Sequence, residues 1–221
     1  MESQNMPTVV SPPEDRPPEH RVVLRNVCWE TYERLLAEHL DRSSPRFTYN
    51  RGTLEIMSPS AEHEWYNQLV SDLVKLLARE LRIDVLSLGC TTFKREEAER
   101  GFEPDSCFYV AHARRLRGKT RIDLAVDPPP EIVVEIVVTH PSLSKFPICA
   151  AFGVPEIWSY DGRRLHIYRL SGSEYTEAPS SGILPELQAN QLTDFLELGK
   201  TADSVTWAEE VLARFRRSRA R

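Results

Sequence analysis

The sequence lacks the features that identify membrane-spanning, secreted or disulfide-linked proteins. No stretch approaches the roughly 18 to 20 consecutive apolar residues of a membrane span, and the N-terminus has no basic-then-apolar signal pattern. The cysteines are widely spaced and form no CxxC pair, which indicates neither a zinc site nor a disulfide framework. We therefore expect a cytoplasmic protein with reduced thiols.

The sequence also lacks an excess of positive charge. It contains 28 basic and 33 acidic residues, which gives a net charge of −5 and no overall attraction to nucleic acid. Binding to DNA or RNA would therefore need a local patch. The C-terminal stretch RFRRSRAR has five arginines and could contact phosphates. The solvated end of a helix explains this stretch at least as well.

Length and composition indicate one domain with tails. The chain has 221 residues, of which 41% are hydrophobic and 28% charged, as in ordinary globular proteins. Residues 1–20 contain five prolines and almost no aliphatic pattern, so we expect a disordered tail there. We expect the folded domain to occupy residues 21–200 and a basic helix to occupy residues 201–221.

The first half of the domain alternates helix and strand signals. A helix is predicted with Thr31 near its start and apolar positions at Tyr32, Leu35, Leu36 and Leu40. A hairpin follows in FTYNRGTLEIMSP and turns at residues 50–52. Ser60 is the predicted N-cap of a long helix. The apolar stripe of that helix consists of Leu69, Leu73, Leu76, Leu77 and Leu81.

The second half contains mainly strand signals. We predict strands in DVLSLGCTTFKRE, GFEPDSCFYV, RIDLAV and EIVVEIVV, and a hairpin in EIWSYDGRRLHIYRL. A short helix in SLSKFPICAAFGVPE should end at Gly153 and Pro155, and a last helix should span residues 202–219. This order predicts an α/β or α+β domain built on one mixed sheet.

The stretch PPPEIVVEIVVTH, residues 128–140, contains a carboxylate inside an apolar strand. From Ile132 to Val138 every residue is a β-branched aliphatic except Glu135. Such a run is typical of a strand buried on both faces. An unpaired buried charge costs several kcal/mol or shifts its pKa until the group is neutral. Glu135 therefore needs a partner, unless it lies at a strand end and reaches water or a salt bridge.

Two other residues could form a site with Glu135. Asp105 follows Glu103 and Pro104 at the start of a strand, and Lys145 lies in the first turn of the helix that follows Glu135. An aspartate and a glutamate on neighbouring strands can share Mg²⁺, which takes one or two protein carboxylates plus water and substrate phosphate. A nearby lysine would stabilise the developing charge or hold the attacking water. On this interpretation, the partner of Glu135 is a metal ion.

One set of motifs covers about residues 21–198: EPDSCFY, EIVVEIVVTHPSLSK and AAFGVPEIWSYDG, with LEIMSPSAEHE and SLGCTTFKREEAERGFEPD further upstream. These motifs give the chain a resemblance to the Uma2 family, a branch of the PD-(D/E)XK nuclease superfamily. It implies a central mixed sheet flanked by helices, with the site at one end of the sheet. It also implies Mg²⁺ or Mn²⁺ as cofactor and hydrolysis of phosphodiester bonds in nucleic acid, with DNA as the expected substrate.

The resemblance assigns roles to the residues that match the family motifs. Asp105 is the aspartate of the Pro-Asp motif, and Glu135 is the acidic residue of the Glu-x-Lys position. The chain departs from the pattern at Val137, where a lysine would share the face of Glu135. Lys145 matches the lysine that similar sequences carry at the start of the next helix. We therefore predict that Lys145 is the catalytic cation.

A histidine and two glutamates at the start of the long helix complete the predicted site. His63 matches a histidine that the family places there, and we predict that it lines the site as a catalytic residue. Glu62 and Glu64 offer the helical acid that the superfamily often uses as an outer metal ligand, and we assign Glu64 to that role. A helix N-terminus also favours acidic residues, which explains both glutamates without a metal.

Two functions remain open at this point. The leading hypothesis is a Mg²⁺-dependent endonuclease. The alternative is a catalytically degenerate protein of the same fold that acts as a binding or dimerisation module, and Val137 and the acidic net charge favour it. A homodimer is expected by analogy, because nucleases that cut two strands are often dimers.

Overall fold

The computed structural model describes residues 19–39, 42, 44–138 and 143–220. Within them the chain forms two sheets with helices packed against both. The helices are α1 Trp29–Glu38, α2 Ala61–Glu80, α3 Ala113–Leu116, α4 Phe146–Phe152, α5 Ala189–Gly199 and α6 Ser204–Arg219. The predicted α/β fold class, a mixed sheet flanked by helices, is confirmed. A second sheet, which the sequence did not predict, lies beside it.

The smaller sheet is antiparallel throughout and has the strand order β1-β3-β2-β6-β5. Its strands are β1 His20–Leu24, β2 Arg46–Asn50, β3 Thr53–Ser58, β5 Phe93–Arg95 and β6 Arg100–Phe102. The hairpin between β2 and β3 is confirmed. Arg51 and Gly52 both have positive φ angles, 46° and 86°, as a two-residue hairpin turn of this type requires. Helix α1 covers this sheet through Tyr32, which stacks on Tyr49.

The larger sheet is mixed and has the strand order β11-β10-β9-β8-β7-β4. Its strands are β4 Leu86–Ser87, β7 Ser106–Tyr109, β8 Ile132–Ile136, β9 Glu156–Tyr160, β10 Leu165–Ser171 and β11 Glu174–Ala178. The β8–β9 pair is parallel and the other pairs are antiparallel. The strand signal of EIVVEIVV and the hairpin around Asp161 and Gly162 are both confirmed.

Strand β8 is one of the two middle strands of the larger sheet, and all of its residues are buried. Ile132, Val134 and Ile136 pack against α2 in the larger core. Val133, on the opposite face, packs with Ile148 and other residues of α4 in a second core. Because alternate residues of a strand share a face, Glu135 lies on the α4 side of the sheet.

Two stretches that carry strand signals are each divided between the two sheets. The stretch DVLSLGCTTFKRE forms β4 in the larger sheet and β5 in the smaller one, with Gly89 at a φ of 58° between them. The stretch GFEPDSCFYV likewise forms β6 and β7. Pro104 lies between these two strands, and its missing N–H cannot continue a ladder. The prediction of a strand entered through Pro104 is confirmed by β7, with β6 before the proline in the smaller sheet. The prediction of a single strand in DVLSLGCTTFKRE was wrong, and so was the prediction of a single sheet.

The stretch RIDLAV is a turn and not the predicted strand. The Asp123 side chain accepts a hydrogen bond from the backbone N–H of Ala125 at 3.0 Å, and its carbonyl accepts one from Asp127 at 2.7 Å. These local bonds replace those that a sheet would supply. Strands β1 and β11 and helices α3 and α5 were not predicted.

The predicted boundaries of the tail and of the helices can be compared with the structure only where residues are described. Residues 1–18 of the predicted tail lie outside the described residues, as does Leu40 of the first predicted helix. The tail prediction was wrong for Glu19, which is buried, and for His20, which begins β1. Ser60 is the N-cap of α2, and its hydroxyl accepts from the backbone of His63 at 3.1 Å. The division of the chain at residue 200 stays a prediction.

The expectations of reduced cysteines and of no membrane span can be compared with the described residues. All four cysteines are free thiols, and Cys107 and Cys149 are buried. None of the described helices is long and apolar enough to cross a membrane.

Candidate active site

Asp105 and Glu135 meet where the chain leaves the smaller sheet and enters the larger one. Asp105 immediately precedes β7, whose first residue, Ser106, pairs with Val134 of β8. Asp105 therefore lies across from Glu135. The backbone N–H of Ile136 donates to Asp105 Oδ2 at 2.6 Å and fixes one end of the carboxylate. The predicted pairing of these two acids on neighbouring strands is what the structure shows.

Lys145 reaches the same place from the N-cap position of α4. Its Nζ donates to Glu135 Oε2 at 2.7 Å and to the backbone carbonyl of Glu103 at 2.9 Å. Helix α4 lies on the face of β8 to which Glu135 belongs, so a short connection is enough to bring the ammonium group to the carboxylate. The structure thus places the predicted cation beside the predicted acid.

The two carboxylate oxygens of Glu135 differ in their surroundings. Oε2 is bound by Lys145, whereas Oε1 is buried and has no partner among the described residues. Burial raises the pKa of Glu135 to about 7; the Lys145 charge opposes this shift and the Asp105 charge adds to it. A buried carboxylate oxygen with a free lone pair favours a proton or a cation.

Two cationic side chains contact Oδ1 of Asp105, the oxygen that the Ile136 N–H does not bind. His63 Nε2 lies 2.9 Å from Asp105 Oδ1, and Arg46 Nη1 donates to the same oxygen. Burial disfavours the charged carboxylate, but Lys145, the His63 hydrogen bond and Arg46 outweigh it. They hold the pKa of Asp105 well below its usual range.

His63 is buried between two carboxylates. Its Nδ1 contacts Glu19 and its Nε2 contacts Asp105. Burial favours the neutral imidazole, yet the hydrogen bonds to Asp105 and Glu19 raise the His63 pKa to about 9. An imidazolium that donates from both nitrogens satisfies both acids.

Glu64 is separated from the two central carboxylates by Arg46. The Arg46 guanidinium donates to Asp105 through Nη1 and to Glu64 through Nη2. The Glu64 side chain is 40% exposed and does not line the cavity that Asp105 and Glu135 share. Its assignment as a metal ligand stays a prediction that the geometry does not favour.

A small cavity of about 70 Å³ adjoins the two carboxylates. Asp105, Glu135, Lys145 and Val137 all line it, so the position that departs from the family motif does face the site. A much larger cleft of about 1030 Å³ lies beyond Glu103, between α1, β5 and residues 120–125. None of the four predicted catalytic residues lines this cleft, whereas Asp105, Glu135 and Lys145 line the small cavity, so we place the site there. His63, which was predicted to line the site, does not line the cavity and contacts Asp105 from behind.

Sequence reasoning missed Arg46 and Glu19. Arg46 begins β2 and is 5% exposed. A charged residue at the start of a strand predicted to be half-buried was the only available signal. Glu19 lies in the proline-rich stretch and carried no signal.

The two central acids suit a hard divalent cation. Asp105 and Glu135 present oxygen ligands to one cavity. Glu135 Oε1, which has no hydrogen-bond partner among the described residues, can coordinate a cation. No group of three or more histidine, cysteine or acidic side chains among the described residues could hold a metal ion. Mg²⁺ needs only one or two carboxylates, because water and phosphate oxygens complete its shell. The donor set therefore fits Mg²⁺ or Mn²⁺ better than zinc.

Comparisons with known proteins agree with the fold. The family model of Uma2, described as "Putative restriction endonuclease", matches residues 29–203. A solved structure described as a putative nuclease belonging to DUF820, from Anabaena variabilis ATCC 29413, is similar with a TM-score of 0.50 and 15% sequence identity. The similarity covers 77% of this chain and 99% of that one. No curated protein matches the chain.

Proposed function

The chain belongs to the Uma2 family, and from this premise we propose that it is a metal-dependent endonuclease. Its substrate is nucleic acid, with DNA as the class we favour, and its reaction is hydrolysis of a phosphodiester bond. Its cofactor is Mg²⁺ or Mn²⁺. We place its action in the cytoplasm.

The observation that carries this proposal is the geometry of Glu135. The glutamate shares a cavity with Asp105, is held by Lys145 through one oxygen, and keeps its other buried oxygen without a hydrogen bond among the described residues. A structural carboxylate at this depth would be expected to have both oxygens satisfied. A ligand to a cation needs one free oxygen.

Each residue has a distinct role in the proposed reaction. Asp105 and Glu135 hold the divalent ion, which when bound polarises the phosphodiester and makes a bound water more acidic. Lys145 fixes the rotamer of Glu135 and places a positive charge where the phosphate acquires negative charge. His63 and Arg46 keep Asp105 ionised and oriented.

Isothermal titration of Mn²⁺ and a cleavage assay on supercoiled plasmid DNA test this proposal together. Wild-type protein should bind Mn²⁺ and cut, whereas Asp105→Asn and Glu135→Gln should lose both properties while remaining folded. Glu177→Gln is the matched control, because Glu177 lies on β11, away from the cavity, and its carboxylate pairs with His166 and Arg164. Undiminished cleavage by both site variants would refute the assignment.

A specific observation favours the alternative function, a non-catalytic binding or dimerisation module. Asp105 is already neutralised by Arg46 and His63, and Val137 occupies the position where the family pattern has lysine. A degenerate site should bind no Mn²⁺ even though the protein is folded. Sedimentation would then show whether the chain forms a homodimer, which we propose by analogy alone.

A further inference from the structure

The segment before the family-matched region reaches the back of the candidate site. Glu19 precedes β1, ten residues before the match begins at residue 29. Its side chain is fully buried, with 0% exposure. One carboxylate oxygen contacts His63 Nδ1, and the other accepts hydrogen bonds from Arg21 at 2.7 Å and 3.0 Å. Both oxygens of Glu19 are thus engaged by residues of the site or its wall.

The His63 ring connects Glu19 directly to Asp105. Its side chain has no exposed surface, and its two nitrogens face one carboxylate each. A buried imidazole with an acceptor at each nitrogen can rotate only by breaking both contacts. The orientation of the ring therefore depends on Glu19 as much as on Asp105.

The orientation of the Asp105 carboxylate depends in turn on the His63 ring. Its Oδ2 is fixed by the backbone of Ile136, while its Oδ1 is fixed by His63 and Arg46. Removing the support of the ring leaves Arg46 as the only described side chain that binds Oδ1. The carboxylate would then be free to tilt toward the guanidinium and away from the cavity.

Arg21 extends the same segment into the cavity wall. Its Nη1 donates to Glu55 at 2.8 Å, and both residues line the cavity of about 70 Å³ beside Asp105 and Glu135. Residues 19–21 therefore bound the site on two sides, behind His63 and along the cavity.

We propose that Glu19 is a positioning residue of the site, which acts through His63 to hold the Asp105 carboxylate in its ligating orientation. This inference rests on the proposed function, because it assumes that Asp105 is a metal ligand. It adds that the residues before the matched region complete the site. Outer hydrogen-bond partners of metal ligands, when removed, typically weaken metal affinity about 10- to 100-fold.

The test compares two buried glutamates in the full-length protein. Glu19→Gln keeps the size of the side chain and removes its charge. Glu156→Gln is the matched control, because Glu156 is 1% exposed and accepts from Trp158 Nε1 at 2.9 Å and Ser181 Oγ at 2.7 Å, three positions along the β8–β9 ladder from Glu135. Mn²⁺ is titrated into each folded variant. We expect affinity about 10- to 100-fold weaker in Glu19→Gln and wild-type affinity in Glu156→Gln.

A second measurement separates this inference from the proposed function. Nitrogen-15 spectra of the His63 ring in metal-free protein report whether Nε2 still donates to Asp105. We expect the hydrogen-bonded Nε2–H signal to be lost in Glu19→Gln and kept in Glu156→Gln. Wild-type Mn²⁺ affinity in Glu19→Gln, or an unchanged ring signal, overturns the inference. If wild-type protein binds no Mn²⁺, the proposed function fails, and the ring spectra alone decide whether Glu19 positions Asp105.

Discussion

At the scale of single residues, two acids in one cavity have opposite ionisation properties. Three cationic side chains, Lys145, His63 and Arg46, lower the pKa of Asp105. Burial raises the pKa of Glu135 to about 7, although the charge of Lys145 opposes that shift. Pairs of groups whose pKa values are driven apart are a recurrent property of active sites. The Asp105 carboxylate is ionised at any ordinary pH and can bind a cation. Glu135 must lose a proton before it can bind one.

This difference predicts how Mn²⁺ affinity depends on pH. A proton and a metal ion compete for Glu135, so affinity should rise by up to about tenfold per pH unit below pH 7 and level off above it. Titrations at pH 5.5, 6.5, 7.5 and 8.5 would measure it. Binding that does not change over this range would contradict the assignment of Glu135 as a ligand, and Glu135→Gln should bind at no pH.

His63 predicts a pH dependence of stability. The His63 pKa is raised from 6.5 to about 9 in the folded state. The protonated ring therefore stabilises the folded state fully below pH 6.5, and this stabilisation is lost as pH rises through 9. The shift corresponds to about 3 kcal/mol at most. Urea unfolding at pH 6 and pH 9.5 should show that the difference between wild type and His63→Gln shrinks by that order. His112→Gln, on the surface before α3, is the control.

The site residues that the sequence predicts lie in local motifs, whereas those that it does not predict have partners far away in the chain. Asp105 and Glu135 lie in local motifs, and a motif can be recognised without knowing the fold. Arg46 and Glu19 act through partners 59 and 44 residues away in the chain. Only the fold brings such pairs together, so no local pattern could predict them.

At the scale of secondary-structure elements, the site depends on one crossing between the sheets. Strand β6 ends at Phe102 and β7 begins at Ser106, so Glu103, Pro104 and Asp105 span the gap. Glu103 turns its side chain to Thr92 and the backbone of Phe47, and its carbonyl to Lys145. Alternation of apolar residues predicts that a segment is extended but not which sheet it joins. This is why the strands were found and their partition was not.

The packing of α1 on the smaller sheet gives a prediction about Gly101. A Cβ atom at this position would lie 2.2 Å from Tyr32 Oη and 2.8 Å from its Cζ. Because Tyr32 is fully buried, Gly101→Ala should lower the free energy of unfolding by about 1 to 3 kcal/mol. Chemical denaturation of the purified variant would measure this loss.

Tyr32→Phe provides the matched background for this experiment. The Tyr32 hydroxyl is buried and has no hydrogen-bond partner among the described residues, so its removal should be neutral or stabilising. It also removes the closest clash with the new methyl group. Gly101→Ala should therefore cost less in the Tyr32→Phe background, and an equal cost in both would argue against this contact.

At the scale of the whole molecule, arginines of the C-terminal helix form ion pairs with acidic residues of the same chain. Arg216 pairs with Glu80 of α2, Arg219 pairs with Glu186, and Arg214 pairs with Glu210. These contacts favour the interpretation as a solvated helix end over contact with phosphates.

Metal binding should also stabilise the fold as a whole. The wild-type protein buries Glu135 with one oxygen unpartnered among the described residues, and a cation that binds only the folded state adds RT ln(1 + [Mn²⁺]/Kd). At 100 times Kd this is about 2.7 kcal/mol, or roughly 5 to 11 °C in Tm for a domain of this size. Calorimetric scans with Mn²⁺, and with Mn²⁺ plus EDTA, would measure it. Glu135→Gln should show no shift because it lacks the charged ligand. An equal shift in both proteins would mean that Mn²⁺ binds elsewhere, and that the buried glutamate is held by Lys145 alone.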